Sequence, residues 1–302
     1  MEINERADVD TSQVEDKRGG GGGGFRGGGV PIPLPSGRGG WIGLIVTILL
    51  ALVGGGFGVN QLTDGGGGDT QLNCDKSNPN RFQERDCRNA LYVNSIQNYW
   101  QNALPQTFGT PYRQAKTTFF SGAVETGCGS ADAGVGPFYC PPDQKVYIDL
   151  SFYDLLASRL GAAGEFAQPY VLAHEYGHHV QTLLGIEAQV RRAQQRDPGN
   201  TNRYSVMLEL QADCFAGVWA KHATETADMQ GDPIFTSITD QDIKEGLDAA
   251  AAVGDDAIQK KSGGQIDESQ FTHGTSAQRQ HWFSQGHDTG NPKACDTFGN
   301  AL

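Results

Sequence analysis

Two histidines and a glutamate stand close together near the middle of this chain. His174, Glu175 and His178 form an H-E-x-x-H pattern. Histidines four residues apart lie on one face of a helix, where their ring nitrogens can converge on one zinc ion. The glutamate beside the first histidine is then close enough to hold a water molecule and take its proton. The pattern therefore predicts zinc-dependent hydrolysis.

The sequence around this pattern has the periodicity of a helix. Apolar side chains, among them Val171 and Val180, recur every three or four residues along 166–184. Pro169 suits the first turn of a helix, and Gly185 suits a C-terminal cap. The alternative is a helix with surface histidines and no metal.

A second helical stretch offers the ligand that two histidines lack. A catalytic zinc has three protein ligands and one open position. Glu209 and Asp213 lie four residues apart within an apolar stripe and share a helix face. Glu209 can supply the third ligand. Asp213 can accept a hydrogen bond from a ligating histidine, and His174 is the expected partner. The alternative is a solvated acidic pair, which the apolar neighbours disfavour.

The two motifs together resemble the gluzincin metallopeptidases, in which H-E-x-x-H is followed by E-x-x-x-D. More closely, the chain is similar to a bacterial family of neutral zinc metallopeptidases, the YpfJ-like proteins. The matching stretches are GCG at 127–129, GPFYCP at 136–141, VYIDLSFY at 146–153, HEYGHHVQ at 174–181, ELQADCFAGVW at 209–219 and FTHGTSAQR at 271–279. The resemblance implies a zinc endopeptidase that acts on peptides or proteins.

The expected mechanism uses one Zn²⁺ per chain, bound by His174, His178 and Glu209. The fourth position is expected to hold water. Glu175 is expected to act as general base toward this zinc-activated water and then to protonate the leaving amine. Asp213 is expected to orient a ligating histidine.

One histidine near the end of the chain is a further catalytic candidate. His273 precedes a helix that Thr275 and Gln278 predict to be capped. It is expected to reach into the cleft and donate a hydrogen bond to the oxyanion of a tetrahedral intermediate. The alternative is that His273 and Arg279 only organise helix packing.

Tyr147, Ile148 and Asp149 belong to a short strand that comes before the H-E-x-x-H helix. In related peptidases, the sheet edge above the zinc binds substrate as an extra strand. By resemblance, these three residues are expected to bind substrate. An ordinary core strand is the alternative.

The order of the elements predicts an α+β fold. Short strands fit 116–120, 138–140 and 146–150, with a glycine-rich loop at 122–136. Helices account for most of the sequence from residue 151 onward. Strands followed by helices indicate α+β. This order fits the zincin-like arrangement that the resemblance implies, with a small sheet over the active-site helices.

Composition divides the chain into four parts. Residues 1–40 are rich in glycine and charge, so we expect them to be disordered. The uncharged run 41–62 is about long enough to cross a bilayer as one helix. Residues 63–80 are expected to form a flexible linker. Residues 81–302 are expected to be the zinc metallopeptidase domain.

The apolar run is predicted to be a single-pass membrane anchor. A cleaved signal peptide is the alternative, but the polar segment before the run is about twice too long for one. Basic residues near the run are Lys17, Arg18, Arg26 and Arg38 before it, and Lys76 and Arg81 after it. This excess places the N-terminus in the cytoplasm of a bacterium and the catalytic domain on the extracytoplasmic face, periplasmic or extracellular.

All six cysteines follow the apolar run. An even number on one side of a membrane fits disulfides in an oxidising compartment. Pairing by proximity gives Cys74–Cys87 and Cys128–Cys140, which leaves Cys214–Cys295. Buried free thiols are the alternative, and the spacings do not fit a structural zinc site.

The net charge narrows the range of partners. The chain carries 23 basic and 35 acidic residues, a formal charge of −12. An acidic domain repels phosphate groups, so we expect no nucleic acid partner. The alternative to an enzyme is a non-catalytic extracytoplasmic binding or regulatory module that contains zinc. A latent enzyme, held inactive by its N-terminal segment, is a third hypothesis.

Overall fold

The computed structural model describes residues 1–18, 71–299 and residue 301. In this part of the chain, the strands are β1 (Glu2–Ile3), β2 (Val14–Asp16), β3 (Lys116–Phe120), β4 (Ala123–Thr126), β5 (Gly129–Asp132), β6 (Phe138–Cys140), β7 (Lys145–Asp149) and β8 (Phe235–Ser237). The helices are α1 (Arg85–Phe108), α2 (Phe152–Ser158), α3 (Ala167–Leu183), α4 (Ile186–Arg196), α5 (Thr201–His222), α6 (Asp240–Ala252), α7 (Asp255–Lys261) and α8 (Ser276–Thr289). This mixture confirms the predicted α+β class.

The main sheet has the strand order β2-β3-β7-β6. Strand β3 lies between β2 and β7 and is parallel to both, whereas β6 is antiparallel to β7. The turn at 141–144 joins β6 to β7 as a hairpin. Strand β7 is therefore an interior strand, and β6 forms the sheet edge that contacts α3.

Helix α3 carries the H-E-x-x-H pattern and contacts most of the other main elements. Pro169 lies in its first turn, and Gly185 follows its end with a φ of 72°, a conformation that glycine adopts without strain. The predicted helix at 169–184 is thus confirmed. Helix α3 packs against α1, α5, β6 and β7, and α5 in turn packs along α8.

Glycines allow three of these helices to approach closely. A Cβ atom at Gly177 would lie 2.9 Å from the Cα atom of Ala212, on α5. One at Gly286 would lie 1.9 Å from the carbonyl oxygen of Cys214, and Gly217 faces α8 with similarly little space. Any side chain at these positions would push α3, α5 and α8 apart.

All six cysteines are paired as predicted, in Cys74–Cys87, Cys128–Cys140 and Cys214–Cys295. The second bond ties the turn between β4 and β5 to β6. The prediction that residues 122–136 form a loop is wrong, because much of this stretch forms the β4–β5 hairpin.

Residues 1–18 are ordered against the domain, so the predicted disorder of residues 1–40 is wrong for this part. Strand β1 pairs with β8, and β2 extends the main sheet beside β3. Ala7 is fully buried. Composition misleads here because a segment with few apolar side chains can still be held by backbone pairing with an existing sheet. Residues 71–80, assigned to the linker, are likewise tied to α1 through Cys74.

The rest of the N-terminal region lies outside the described residues. This applies to the predicted span at 41–62, to residues 19–40 and to the first part of the linker. Among the helices of the described part, none is long and apolar enough to cross a membrane.

His179 joins α3 to the sheet. Its Nε2 atom donates to the carbonyl oxygen of Arg113 (2.6 Å), and its Nδ1 atom accepts from the hydroxyl of Tyr139 on β6 (3.0 Å). Burial lowers the pKa of His179 from 6.5 to about 4. The folded protein therefore keeps this ring neutral at pH values where the unfolded chain protonates it.

We expect the metal-free protein to lose stability as the pH falls from 6.5 to 4. In this window only the unfolded chain readily protonates His179, which lowers the free energy of unfolding by up to about 3 kcal/mol. His179→Gln should lose less stability over the same range, because an amide does not titrate. Thermal unfolding in the presence of a chelator measures both, with the exposed His281→Gln as control. An equal acid loss in His179→Gln would contradict this explanation.

Candidate metal centre

The structure brings the three predicted metal ligands together. His174 and His178 project from α3, and Glu209 projects from α5. The Nε2 atom of His174 lies 3.1 Å from Glu209 Oε2, and that of His178 lies 3.3 Å from Glu209 Oε1. One ligand atom from each residue falls within 4.8 Å of the others. Two imidazoles and one carboxylate at this spacing are a suitable donor set for zinc.

Glu209 has an unsatisfied atom that fits a metal. Its Oε1 atom is buried and has no hydrogen-bond partner among the described residues. Burial alone would raise the pKa of Glu209, but the imidazoles of His178, His273 and His174 lower it well below its usual range. A buried, ionised and incompletely bonded carboxylate is costly unless a cation compensates it. The residues present therefore fit zinc.

Asp213 holds His174 from the side opposite the ligand atom. Its Oδ1 atom accepts a hydrogen bond from His174 Nδ1 (2.8 Å) and another from the Tyr170 hydroxyl (2.7 Å). Arg279 adds two more, from Nε to Oδ2 (2.7 Å) and from Nη2 to Oδ1 (2.9 Å). The Nδ1 proton on His174 leaves the Nε2 lone pair free for a metal. The predicted pairing of Asp213 with His174 matches this geometry.

The charges in this network stabilise the ionised forms of Asp213 and His174. Burial favours a neutral Asp213, but Arg279 and His174 outweigh it and lower the pKa of Asp213 to about 2. Burial likewise disfavours a charged His174, but Asp213 and Glu209 raise the pKa of His174 to about 10. Without metal, the site therefore holds a proton on His174 that zinc must displace.

Gln181 holds the second histidine, and the sequence analysis missed it. His178 Nδ1 donates to Gln181 Oε1 (2.9 Å). The Gln181 amide nitrogen donates to the carbonyl of Leu208 and to Gln211, which itself bonds the carbonyl of Cys295. Gln181 follows His178 by three residues, so the two side chains share a face of α3. This spacing was the one feature of the sequence that could have indicated the pair.

Glu175 lies beside the ligands in a suitable state for proton transfer. Glu175 is 8% exposed, and its carboxyl group lies close to the backbone of Tyr139, on β6. Burial raises the pKa of Glu175, against the opposing effect of His174 and His178. A carboxylate with a raised pKa is a stronger general base near neutral pH.

His273 lies on the wall of the same cavity as the three ligands. Its Nδ1 atom is 3.0 Å from the Thr272 hydroxyl and 3.3 Å from Asp255 Oδ1. Asp255 also accepts the backbone N–H groups of Thr272, His273 and Gly274, so it fixes the whole turn before α8. The alternative was that His273 and Arg279 only organise helix packing. Such a role fits Arg279 better than His273, because Arg279 is buried against Asp213.

The three residues predicted to bind substrate lie in an interior strand of the sheet, so this prediction is wrong. Tyr147, Ile148 and Asp149 belong to β7, whose backbone is paired with β3 on one side and β6 on the other. The Tyr147 hydroxyl bonds Asp143, and the Asp149 carboxylate caps the backbone N–H groups of Gly122 and Ser151. An interior strand cannot accept an extra strand, so these residues form part of the sheet core.

A cavity of about 380 Å³ opens over the three ligands. Phe138 and Tyr139 from β6 and the β4–β5 hairpin form one wall. Residues of α4 and the start of α5 form another, including Glu187 and Arg191, which pair with each other. The three predicted ligands thus line one side of a cleft.

Comparisons with known proteins identify the family of this chain. The family described as "Putative neutral zinc metallopeptidase" matches residues 2–298. A protein of Escherichia coli, named "Uncharacterized protein YpfJ", is 43% identical over 296 residues, which are 97% of this chain and 98% of that protein. An uncharacterized protein of Mycobacterium tuberculosis is 45% identical over 224 residues, 74% of this chain and 73% of that protein. No solved structure matches the chain.

The match over nearly the whole chain shows that this protein belongs to the neutral zinc metallopeptidase family. The family description implies zinc as the metal and peptides or proteins as substrates.

We expect the Asp213–Arg279 pair to control both stability and metal affinity. Arg279→Gln should lower the free energy of unfolding by about 3–5 kcal/mol, because it leaves Asp213 charged and buried without its partner. The double variant Asp213→Asn/Arg279→Gln removes both charges and should recover part of this loss. It should nevertheless bind zinc 10- to 100-fold more weakly, since His174 loses its anionic partner.

Competition with a chromophoric chelator measures the zinc affinity, and chemical denaturation measures the stability. Wild-type zinc affinity in the double variant would show that Asp213 contributes only to packing.

Proposed function

We propose that this protein is a zinc-dependent endopeptidase with one metal ion per chain. The observation that carries the proposal is the convergence of His174, His178 and Glu209. The buried Oε1 atom of Glu209 lacks a hydrogen-bond partner in the described part of the chain and lies 3.3 Å from His178 Nε2. Three protein ligands leave one position for solvent, which distinguishes a catalytic from a structural zinc site. The cleft beside them supports an enzyme over a non-catalytic zinc module.

Zinc would be held by these three side chains and would supply Lewis-acid chemistry toward the scissile carbonyl group and the attacking water. Glu175 takes the proton from the water as it attacks, and its buried carboxyl then donates the proton to the departing amine. His273 donates a hydrogen bond from Nε2 to the developing oxyanion, and the contacts of its Nδ1 atom with the Thr272 hydroxyl and Asp255 hold the ring in place. Asp213 keeps the proton of His174 on Nδ1 throughout.

The substrate would lie along β6 instead of β7. Strand β6 is a sheet edge among the described strands, and Phe138 and Tyr139 line the cleft. An extended peptide added there would pair with the backbone of β6 close to Glu175, whose carboxyl group lies near the Tyr139 backbone. Closed globular substrates would need to unfold locally to present such a segment.

The enzyme is further proposed to act at a bacterial membrane, with its peptidase domain in an extracytoplasmic, oxidising compartment. The three disulfides support an oxidising compartment, in which such bonds persist. The apolar run Trp41–Val59 supports contact with a membrane, but it does not by itself decide on which side residues 1–18 lie.

Glu175→Gln is expected to abolish hydrolysis while keeping the fold and the metal. The amide cannot accept the proton from water, so cleavage should fall at least about a hundredfold. Glu175 is not a ligand, so zinc content should stay at one ion per chain. Cleavage of a broad peptide library and elemental analysis of the same preparation measure these two quantities.

Glu268→Gln is the matched control, because Glu268 is exposed and does not line the cavity. It should cleave the library at close to the wild-type rate. A zinc-loaded Glu175→Gln that still cleaves within a few fold of wild type would disprove the proposed role of this residue.

A further inference from the structure

The first eighteen residues form one folded body with the peptidase domain, although the apolar run Trp41–Val59 separates them from it in sequence. Two backbone ladders hold them. Glu2 and Ile3 pair with β8, and Val14 to Asp16 pair with β3 in parallel register, Val14 beside Thr117. The Lys17 N–H group continues this ladder to the carbonyl oxygen of Phe119.

Side-chain amides of α1 lock the middle of the segment. The amide of Asn94 accepts from the Asp10 N–H group (2.9 Å) and donates to the Asp10 carbonyl (3.0 Å). The Gln97 amide donates to Gln13 Oε1 (2.7 Å), and both of these side chains are buried. Buried amides on α1 that match the backbone and side chains of the segment indicate a built interface, since such groups are costly without partners.

Charges also match across this interface. Glu15 accepts from Lys145 (2.8 Å), and Arg18 bonds Asp86 (2.7 Å) while its guanidinium lies over the ring of Phe119. The family match begins at residue 2, so the family unit includes this segment.

We propose that residues 1–18 are a permanent part of the peptidase domain and lie in the same compartment as the metal site, on the same side of any membrane. A single crossing between residues 18 and 71 would place a bilayer between β2 and β3, which are in hydrogen-bond contact. The basic residues around the apolar run had predicted a cytoplasmic N-terminus and an extracytoplasmic domain. We propose instead that both lie in one compartment.

The segment is also linked to the active-site helix. Strand β3, which β2 covers, bonds α3 from Thr117 Oγ1 to the hydroxyl of Tyr176 (2.9 Å). The Tyr176 hydroxyl also donates to the carbonyl of Ala115 (3.0 Å), just before β3. Tyr176 follows Glu175 directly in the sequence. Detaching β2 would thus expose one edge of the strand that contacts the H-E-x-x-H helix, while the other edge stays paired with β7.

Thiol labelling in cells tests the shared compartment without any assay of activity. All six native cysteines are in disulfides, so one added cysteine gives the single free thiol. Full-length Lys17→Cys reports on the segment and Ser158→Cys on the domain, and both positions are exposed. Intact spheroplasts are treated with a membrane-impermeant maleimide, before and after lysis.

Equal behaviour of the two variants supports the proposal, whether both react in intact spheroplasts or both react only after lysis. The first result also agrees with an extracytoplasmic peptidase, and the second would move the enzyme to the cytoplasm without affecting the shared compartment. Labelling of Ser158→Cys before lysis and of Lys17→Cys only after lysis, or the reverse, would overturn the proposal.

A stability measurement on the purified full-length chain tests the interface itself. Val14 is buried beside β3, so Val14→Asp should detach β2 and lower the melting temperature by about 5 °C or more. The exposed Lys17→Asp, three residues along the same segment, should melt close to the wild type. A Val14→Asp protein that also melts like the wild type would overturn the proposal that the segment is integral to the domain.

Discussion

The buried carboxylate of Asp213 is the interaction on which the geometry of the site depends. It belongs to α5 and receives hydrogen bonds from two other helices, through His174 and Tyr170 on α3 and Arg279 on α8. These bonds fix the ring of one ligand and the spacing of the helix that carries another. Because Asp213 is fully buried, its charge is stable only while Arg279 and His174 remain in place. The arrangement is therefore cooperative: the helices position the carboxylate, and the carboxylate joins the helices.

Close helix packing is the second condition for this site. Gly177, Gly217 and Gly286 let α3, α5 and α8 approach until backbone atoms nearly touch. The Cys214–Cys295 disulfide begins one residue after Asp213 and fixes the C-terminal turn, whose carbonyl group supports Gln211. The metal ligands thus stand on rigid elements, as a site that must hold its geometry through a reaction cycle requires.

The sequence predicted the ligand set because each half of it is local. A four-residue spacing on a helix fixes which side chains share a face, so His174 with His178 and Glu209 with Asp213 were found without knowledge of the packing. What failed was non-local. The position of β7 inside the sheet depends on its pairing with β3, and pairing cannot be read from the strand itself. The order of residues 1–18 likewise depends on a surface built by α1 and β3, far along the chain. Gln181, the hydrogen-bond partner of His178, lies one helical turn further along α3. Glutamine as a residue type does not indicate a metal site, so this contact was not predicted.

The proposed zinc ion is bound by two imidazoles and one carboxylate, which leave a position for solvent. X-ray absorption spectroscopy at the zinc edge, on full-length protein loaded with one equivalent of zinc, measures this coordination. We expect four light-atom neighbours at about 2.0–2.1 Å, two of them imidazole nitrogens, and the loss of one oxygen neighbour in Glu209→Ala. A sulfur neighbour at about 2.3 Å, or imidazole signals that persist unchanged in a His174→Ala/His178→Ala variant, would contradict it.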